Sequence, residues 1–413
     1  MLLAASVVAC SSSDPPVPPQ PSVTPPAPTT PPVVEGPVPT YHQDVAPLLS
    51  RHCSGCHVAG GIGPFTLASF ADAFAHRDEI AAAVGARDMP PWLPNDACGS
   101  FKDSRRLAQE DVDAIVRWAT KGAPEGAPTG AALPGPPTAR KLEWVDRAPD
   151  IGVDYVPQFQ DEWRCFLLDP AITEDAMLVG WDLEPTLRSQ VHHAGFLDTD
   201  MAEAQAKDAE TAAPGWPCDG NVVVSTGRLL GSWAAGFGAV TLPQGSGIKL
   251  PAGRGIVVQI HYHMHDPSKP AADRTRVSLQ LARGSLAKEA SITSLGPTVG
   301  TIPPKTIGYK RTASLSLPTG GTIWALQPHM HLLGATITVK TRSGIDPDAT
   351  CLLEIPKWNY HWETMHFLES GRVVPAGTVV DLECTWDNPT PKPVTDGHTL
   401  EDEMCDVALV VTH

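Results

Sequence analysis

GIVVQIHYHM, residues 255–264, alternates in a way no helix can use. Every second residue falls on one face of an extended chain. The β-branched content and period of two read as a strand, with Tyr262 turned into a core and His261 and His263 on the other face. The same signature recurs in TRVSLQLA (275–282), TASLSLP (312–318), GATITVKT (334–341) and GTVVDLECTW (377–386), each run bounded by Gly or Pro. Short alternating runs separated by turns are the pattern of antiparallel sandwiches. The chain from about residue 141 is long enough for two, expected at 141–290 and 291–413, with the boundary between residues 283 and 300.

Upstream the pattern changes. VAPLLSRHC (45–53), SFADAFAHRDEIAAAVGA (69–86) and RLAQEDVDAIVRWATKG (106–122) carry helical periodicity, and the last closes on a Gly stop. A small all-helical domain is expected over 41–122, joined by a Pro, Gly and Ala-rich linker (123–140) to the sandwiches. Residues 14–40 hold twelve prolines and almost no charge, which predicts an extended spacer. Ahead of it, MLLAASVVAC resembles the end of a bacterial lipoprotein signal with Cys10 as the acylated residue, so residues 1–40 read as signal and linker. That places the protein in the periplasm or on the outer membrane or surface of a Gram-negative bacterium. Lys and Arg number 30 against 46 Asp and Glu, with no basic stripe, so nucleic acid is excluded as a partner.

RHCSGCHVAGG, residues 51–61, sets two cysteines and a histidine in the c-type haem attachment pattern, Cys53-x-x-Cys56-His57. Zinc would want a second ligand pair at finger spacing, and a redox dithiol would want a βαβ unit; neither is present. Met89, in ARDMPPWLP, is the expected second axial ligand. The whole stretch resembles small bacterial cytochrome c domains, which implies one covalently attached haem c. His42, His52 and His76 read as surface residues.

Downstream the histidines cluster in QVHHAGF, QIHYHMHDP and LQPHMHLLG. His329 and His331, two apart, share a strand face and form a two-imidazole half-site, and His261, His263 and His265 likewise share a face. Adjacent His192 and His193 would point to opposite faces of a regular strand. Both can serve one metal only where the backbone bends. Imidazole with a thioether suits copper, and EDEMCDVALV supplies Met404.

From about residue 160 onward the chain resembles the copper type II, ascorbate-dependent monooxygenases, the family of the peptidylglycine and dopamine enzymes. The residues that match are VHHAG, QIHYHMHD, PHMHLLG and EMC. The resemblance implies two coppers across an open cleft between two jelly-roll-like sandwiches. One is held by His192, His193 and His261, and stores an electron. The other, on His329, His331 and Met404, activates dioxygen and carries the catalysis. Family precedent also implies a Cys384–Cys405 disulfide. Cys165–Cys218 would be a second, and Cys98 and Cys351 are left over in different domains, where a bridge would clamp the helical domain to the sandwiches.

The expected function is therefore copper-dependent hydroxylation of a C–H bond in a small-molecule or peptide substrate. Dioxygen is the oxidant, the haem domain is the electron relay, and an ascorbate-like reductant or redox protein is the external donor or acceptor. A non-catalytic periplasmic copper-binding or electron-transfer lipoprotein is the alternative. His263 and His265 read as extra ligands, neighbours of ligands or surface groups, and His361 and His366 as surface groups. Met365 is a rival thioether in poorer strand context.

Overall fold

The computed structural model describes residues 36–218, 224–343 and 348–413. Cys10 and most of the Pro-rich segment lie outside the described residues. The chain divides into Met1–Pro37 and Val38–His413.

Within the second unit, a π-helical turn (Tyr41–Val45) leads into α1 (Ala46–His52), followed by α2 (Phe70–Ala75), α3 (Arg77–Gly85) and α4 (Gln109–Thr120). The run 69–86, read as one periodic helix, is two. Ser69 and Asp72 cap α2 reciprocally, and His76 leaves helical geometry to stack its ring on Phe65 at 3.8 Å. In α4, Val112, Ile115, Trp118 and Ala119 fall on one face and are buried, and the chain stops at Gly122 with φ of 96°. These faces close over an apolar cluster of their own that includes Tyr41, Leu49, Ile80, Ile115 and Trp118.

The first β region contains β1 (Asp161–Leu168), β2 (Ala176–Glu184), β3 (Val191–Thr199), α5 (Met201–Asp208), β4 (Trp216–Pro217), β5 (Arg228–Ala234), β6 (Val240–Thr241), β7 (Ser246–Leu250), β8 (Gly255–His263) and β9 (Arg276–Leu281). The second contains β10 (Lys288–Leu295), β11 (Thr301–Ile302), β12 (Thr306–Leu317), β13 (Gly321–Met330), β14 (Gly334–Arg342), β15 (Thr350–Ile355), β16 (His366–Val374), β17 (Thr378–Asn388), β18 (Val394–Thr395) and β19 (Cys405–Thr412). A five-stranded sheet, β4-β1-β8-β3-β5, faces β7, β2, β6 and β9 across one core. A four-stranded sheet, β12-β17-β14-β15, shares a second core with β16, β13, β19 and β10. A short parallel pairing of β7 with β10 makes the two outer layers one continuous eight-stranded sheet. The molecule is mostly β, as the alternating runs predict. Tyr262 lies in the first core as expected, fully buried, its hydroxyl donating to Asp273 at 3.0 Å.

The segment between α3 and α4 is a strap across the second sandwich. Asn95 N–H donates to Glu354 C=O, Lys102 N–H to Phe367 C=O, and Glu369 N–H to Ser100 C=O, while Trp92 and Phe101 enter that sandwich's core. Cys98 is bonded to Cys351 there, so the leftover pair does bridge the strap to the sandwich. Cys165–Cys218 and Cys384–Cys405 also form.

His366, expected at the surface, is buried under the strap, with ring centroids 5.2 Å from Trp92 and 5.8 Å from Phe101. Its Nε2 has no hydrogen-bond partner, and burial pushes its pKa down to about 3 from an ordinary 6.5. Between those values the unfolded chain holds the proton and the native chain does not, so stability falls as pH falls. From pH 7 to pH 5 the loss from this ring is about 2 kcal/mol. Urea unfolding should show wild type losing that much more than His366→Leu over the same interval; parallel losses would refute it.

Candidate metal centres

β8 sits between β1 and β3 in the first sandwich, and its register puts His261 opposite both Trp163 and His193. On β3 the register slips between Val191 and His193, so two residues of β3 oppose one of β8. That bulge supplies the bend that adjacent histidines need to face one point. His192 Nδ1 and His193 Nδ1 are 3.3 Å apart, and one donor nitrogen from each of His192, His193 and His261 lies within 4.8 Å of the others. All three rings are buried, and Trp163 stacks on His261 at 4.5 Å.

His193 Nε2 and His261 Nδ1 are buried without a hydrogen-bond partner. An unpaired buried polar atom is costly, and a metal ion is one way of satisfying it. Burial first, and the neighbouring imidazoles second, hold His192 and His193 well below the ordinary histidine pKa, so both are neutral and able to ligate. For His261 burial also lowers the pKa, against the pull of Asp161, whose Oδ1 is 3.1 Å from Nε2. A carboxylate on the far nitrogen fixes the tautomer and leaves Nδ1 free to ligate.

The second group forms where β13 ends. His329 lies opposite Asp406 of β19, Met330 lies opposite Cys405, and His331 follows the strand. The rings of His329 and His331 are 5.1 Å apart. His329 Nδ1 is 2.8 Å from Glu363 Oε2, and His331 Nδ1 is 3.0 Å from the Asp402 carbonyl. In each, Nδ1–H is donated, which leaves Nε2 as the nitrogen able to ligate when it carries no proton. His331 Nε2 is among the buried atoms without a partner. Burial lowers His331 to about 4. Burial acts the same way on His329, but Glu363, with Asp406 and Glu403, outweighs it and raises that imidazole to about 9.

Buried Glu403 fastens this end of the strand: it accepts from the backbone of His331, Leu333 and Met404 and from Trp386 Nε1. Burial raises its pKa to about 7. Met404 lines the same cavity as His329 and His331, whereas Met365 is packed in the first core. That cavity, about 250 Å³, is also lined by Trp163, His193, Tyr360 and Glu363, so residues of both groups border it.

Residues 288–410 match the C-terminal domain of the copper type II ascorbate-dependent monooxygenases. The match contains His329, His331, Glu363 and Met404, and makes this part of the chain similar to a family of copper-dependent oxidoreductases. No curated protein matches the chain. Similarity to solved structures is weak. The VP2 subviral particle protein of infectious bursal disease virus is 13% identical, with 67% of this chain and 74% of that chain covered and a TM-score of 0.17. Allantoicase from Saccharomyces cerevisiae is 11% identical, with 67% and 84% covered and a TM-score of 0.18. Neither bears on the site.

Several residues near these groups were missed from the sequence. Glu363 carries no local motif, Glu403 sits in EMC beside Met404 without any sign of its own role, and Asp161 is the first residue of an ordinary strand. His361, expected at the surface, is half-buried beside the three-histidine group, 5.6 Å from His192 and 5.9 Å from His261 between ring centroids.

In the helical region, Cys53 and Cys56 are both unpaired. Burial raises the Cys53 thiol to about 12 and raises Cys56 as well. His57 Nδ1 is 3.0 Å from the Phe65 carbonyl, which leaves Nε2 free, and burial lowers its pKa. Met89 follows α3, partly buried, its N–H donating to Ala83 C=O. His42, His52 and His76, expected at the surface, are all partly buried. His265 reaches the loop that follows His57: its Nε2 is 2.7 Å from the Ile62 carbonyl.

Proposed function

We propose that the protein is a copper monooxygenase that hydroxylates a C–H bond, fed by a c-type haem carried on residues 41–122. The observation that carries the reading is one cavity of about 250 Å³ bordered by His193 of the His192/His193/His261 group and by His329, His331 and Met404, with unpaired buried ring nitrogens in each group. Copper bound there would supply one-electron chemistry toward dioxygen. The net reaction, RH + O₂ + 2e⁻ + 2H⁺ → ROH + H₂O, needs two electrons from an ascorbate-like reductant or a redox protein. The chain's own part is to aim the imidazoles: Glu363 and the Asp402 carbonyl orient His329 and His331 at the thioether group, and Asp161 orients His261.

Haem is favoured at Cys53-x-x-Cys56-His57 by two features. Thiols raised by burial do not suit a reactive dithiol. His57 also donates its Nδ1 proton to a carbonyl, as an axial imidazole does. Met89 is proposed as the second axial ligand. The relay role is supported by a short series of contacts. Ile62, in the loop after His57, meets His265; the His265 ring is 4.9 Å from His263; and His263 and His261 share Asp161 Oδ1. A lipid anchor at Cys10 and an extracytoplasmic location complete the proposal.

The test is oxygen uptake with a reductant by the copper-loaded chain, with ¹⁸O traced into product across a panel of amphipathic C–H substrates. Label should enter product, and Met404→Ala should lower turnover at least 100-fold, beyond the roughly 10–100-fold cost of losing an outer-shell partner. Copper bound without any labelled product would leave a carrier, and the reading would fall.

A further inference from the structure

The three-histidine group does not exhaust the donors at this end of the first sandwich. Asp161 Oδ1 lies 3.1 Å from His261 Nε2 and 2.8 Å from His263 Nδ1. His361 arrives from the other sandwich, on the turn Tyr360–Trp362, and its ring lies over His261 at an interplanar angle of 23° and 5.8 Å from His263. One donor atom from each of Asp161, His261 and His361 lies within 4.8 Å of the others. Among the described residues nothing hydrogen-bonds the ring of His361.

A carboxylate that merely orients a metal-bound imidazole needs one partner, the distal N–H of that ring. Here one oxygen serves two imidazoles, and a third, with no protein partner of its own, stands within ligand reach of both the carboxylate and His261. Carboxylate plus imidazoles, partly open to solvent on the Asp161 side, is a donor set for zinc or copper(II).

We propose that Asp161, His261 and His361, with His263 at the rim, bind a second divalent cation of the zinc or copper class. This site adjoins the three-histidine group and shares His261 with it. His261 then serves both ions, one through each ring nitrogen, and its N–H proton passes to solvent. The ion also has a structural effect. His361 lies two residues from Glu363, which holds His329, so a cation here fastens the 359–363 segment across the two sandwiches. The site does not rest on the hydroxylation reading, whose failure would leave the cation count unchanged.

The full chain is dialysed against Zn²⁺ alone, the bound metal is counted by elemental analysis, and crystals of the same protein are examined by anomalous scattering at the zinc edge. A zinc peak between Asp161 and His361, distinct from one among His192, His193 and His261, is the expected result. Asp161→Asn and His361→Ala should each lose one equivalent that His193→Ala retains. A single peak inside the three-histidine group, no peak at this end, or equal counts in wild type and both variants would overturn the proposal. The wild-type peak decides the matter if a variant does not fold.

Discussion

Copper(I) affinity at the His329/His331/Met404 group is expected to rise about 50-fold between pH 7 and pH 9. In the metal-free protein Glu363 and its acidic neighbours hold His329 protonated up to about pH 9. Ligation through Nε2 requires the proton on that nitrogen to leave, while Nδ1–H stays on Glu363. Below pH 9 each unit of acidification therefore weakens binding about tenfold, or about 1.4 kcal/mol. His331, depressed to about 4, is neutral throughout this window and adds no slope. Competition with a chromophoric copper(I) chelator at several pH values measures the slope. Glu363→Gln keeps an acceptor for Nδ1–H but removes the charge, so its slope should flatten above pH 7. A slope unchanged in Glu363→Gln would show that the carboxylate does not set the proton on His329.

Much of this grouping was legible because its histidines sit in short local patterns. His329 and His331 two apart, and His261 on an alternating strand, announce shared faces from the period of the strand alone. His192 and His193 announced only a requirement, a bend, because the bulge that meets it is a register between β3 and β8 some 68 residues away. The carboxylates were illegible for the same reason. Glu363 meets His329 and Asp161 meets His261 through tertiary folding, and one sequence gives no sign of which acid meets which imidazole. His361 and His366 were misread because WNYHWETMHF has no alternation to mark an inward face. One is drawn over the histidine cluster and the other is roofed by a strap from another part of the chain. The helix break at His76 escaped because Ala-rich periodicity runs unbroken through it, and only the stacking of His76 on Phe65 shows why the chain turns there. The strap itself has no pattern, being a loop whose backbone finds its partners in β15 and β16.

Of the three disulfides, Cys98–Cys351, which ties down that strap, should cost the most stability to lose. The bond joins residues 253 apart, against 53 for Cys165–Cys218 and 21 for Cys384–Cys405. In the chain-entropy account, closing a loop of that length restricts the unfolded state by about 5 kcal/mol, and the shortest loop by about 3. Cys98→Ala combined with Cys351→Ala should therefore lower the melting temperature by about 5 °C in a chain of this size. The backbone hydrogen bonds of Asn95, Lys102 and Glu369 and the burial of Trp92 and Phe101 remain, so the strap should stay docked near neutral pH. Its docking should now fail more readily in acid. His366 lies beneath it with a pKa of about 3, and protonation of that ring is resisted only while Trp92 and Phe101 cover it. Protease cleavage within residues 89–107 should accelerate at pH 5 in the double alanine variant, and His366→Leu in the same background should restore resistance. A melting temperature within one degree of wild type, or cleavage insensitive to His366→Leu, would show that the strap is held by its hydrogen bonds and apolar contacts alone.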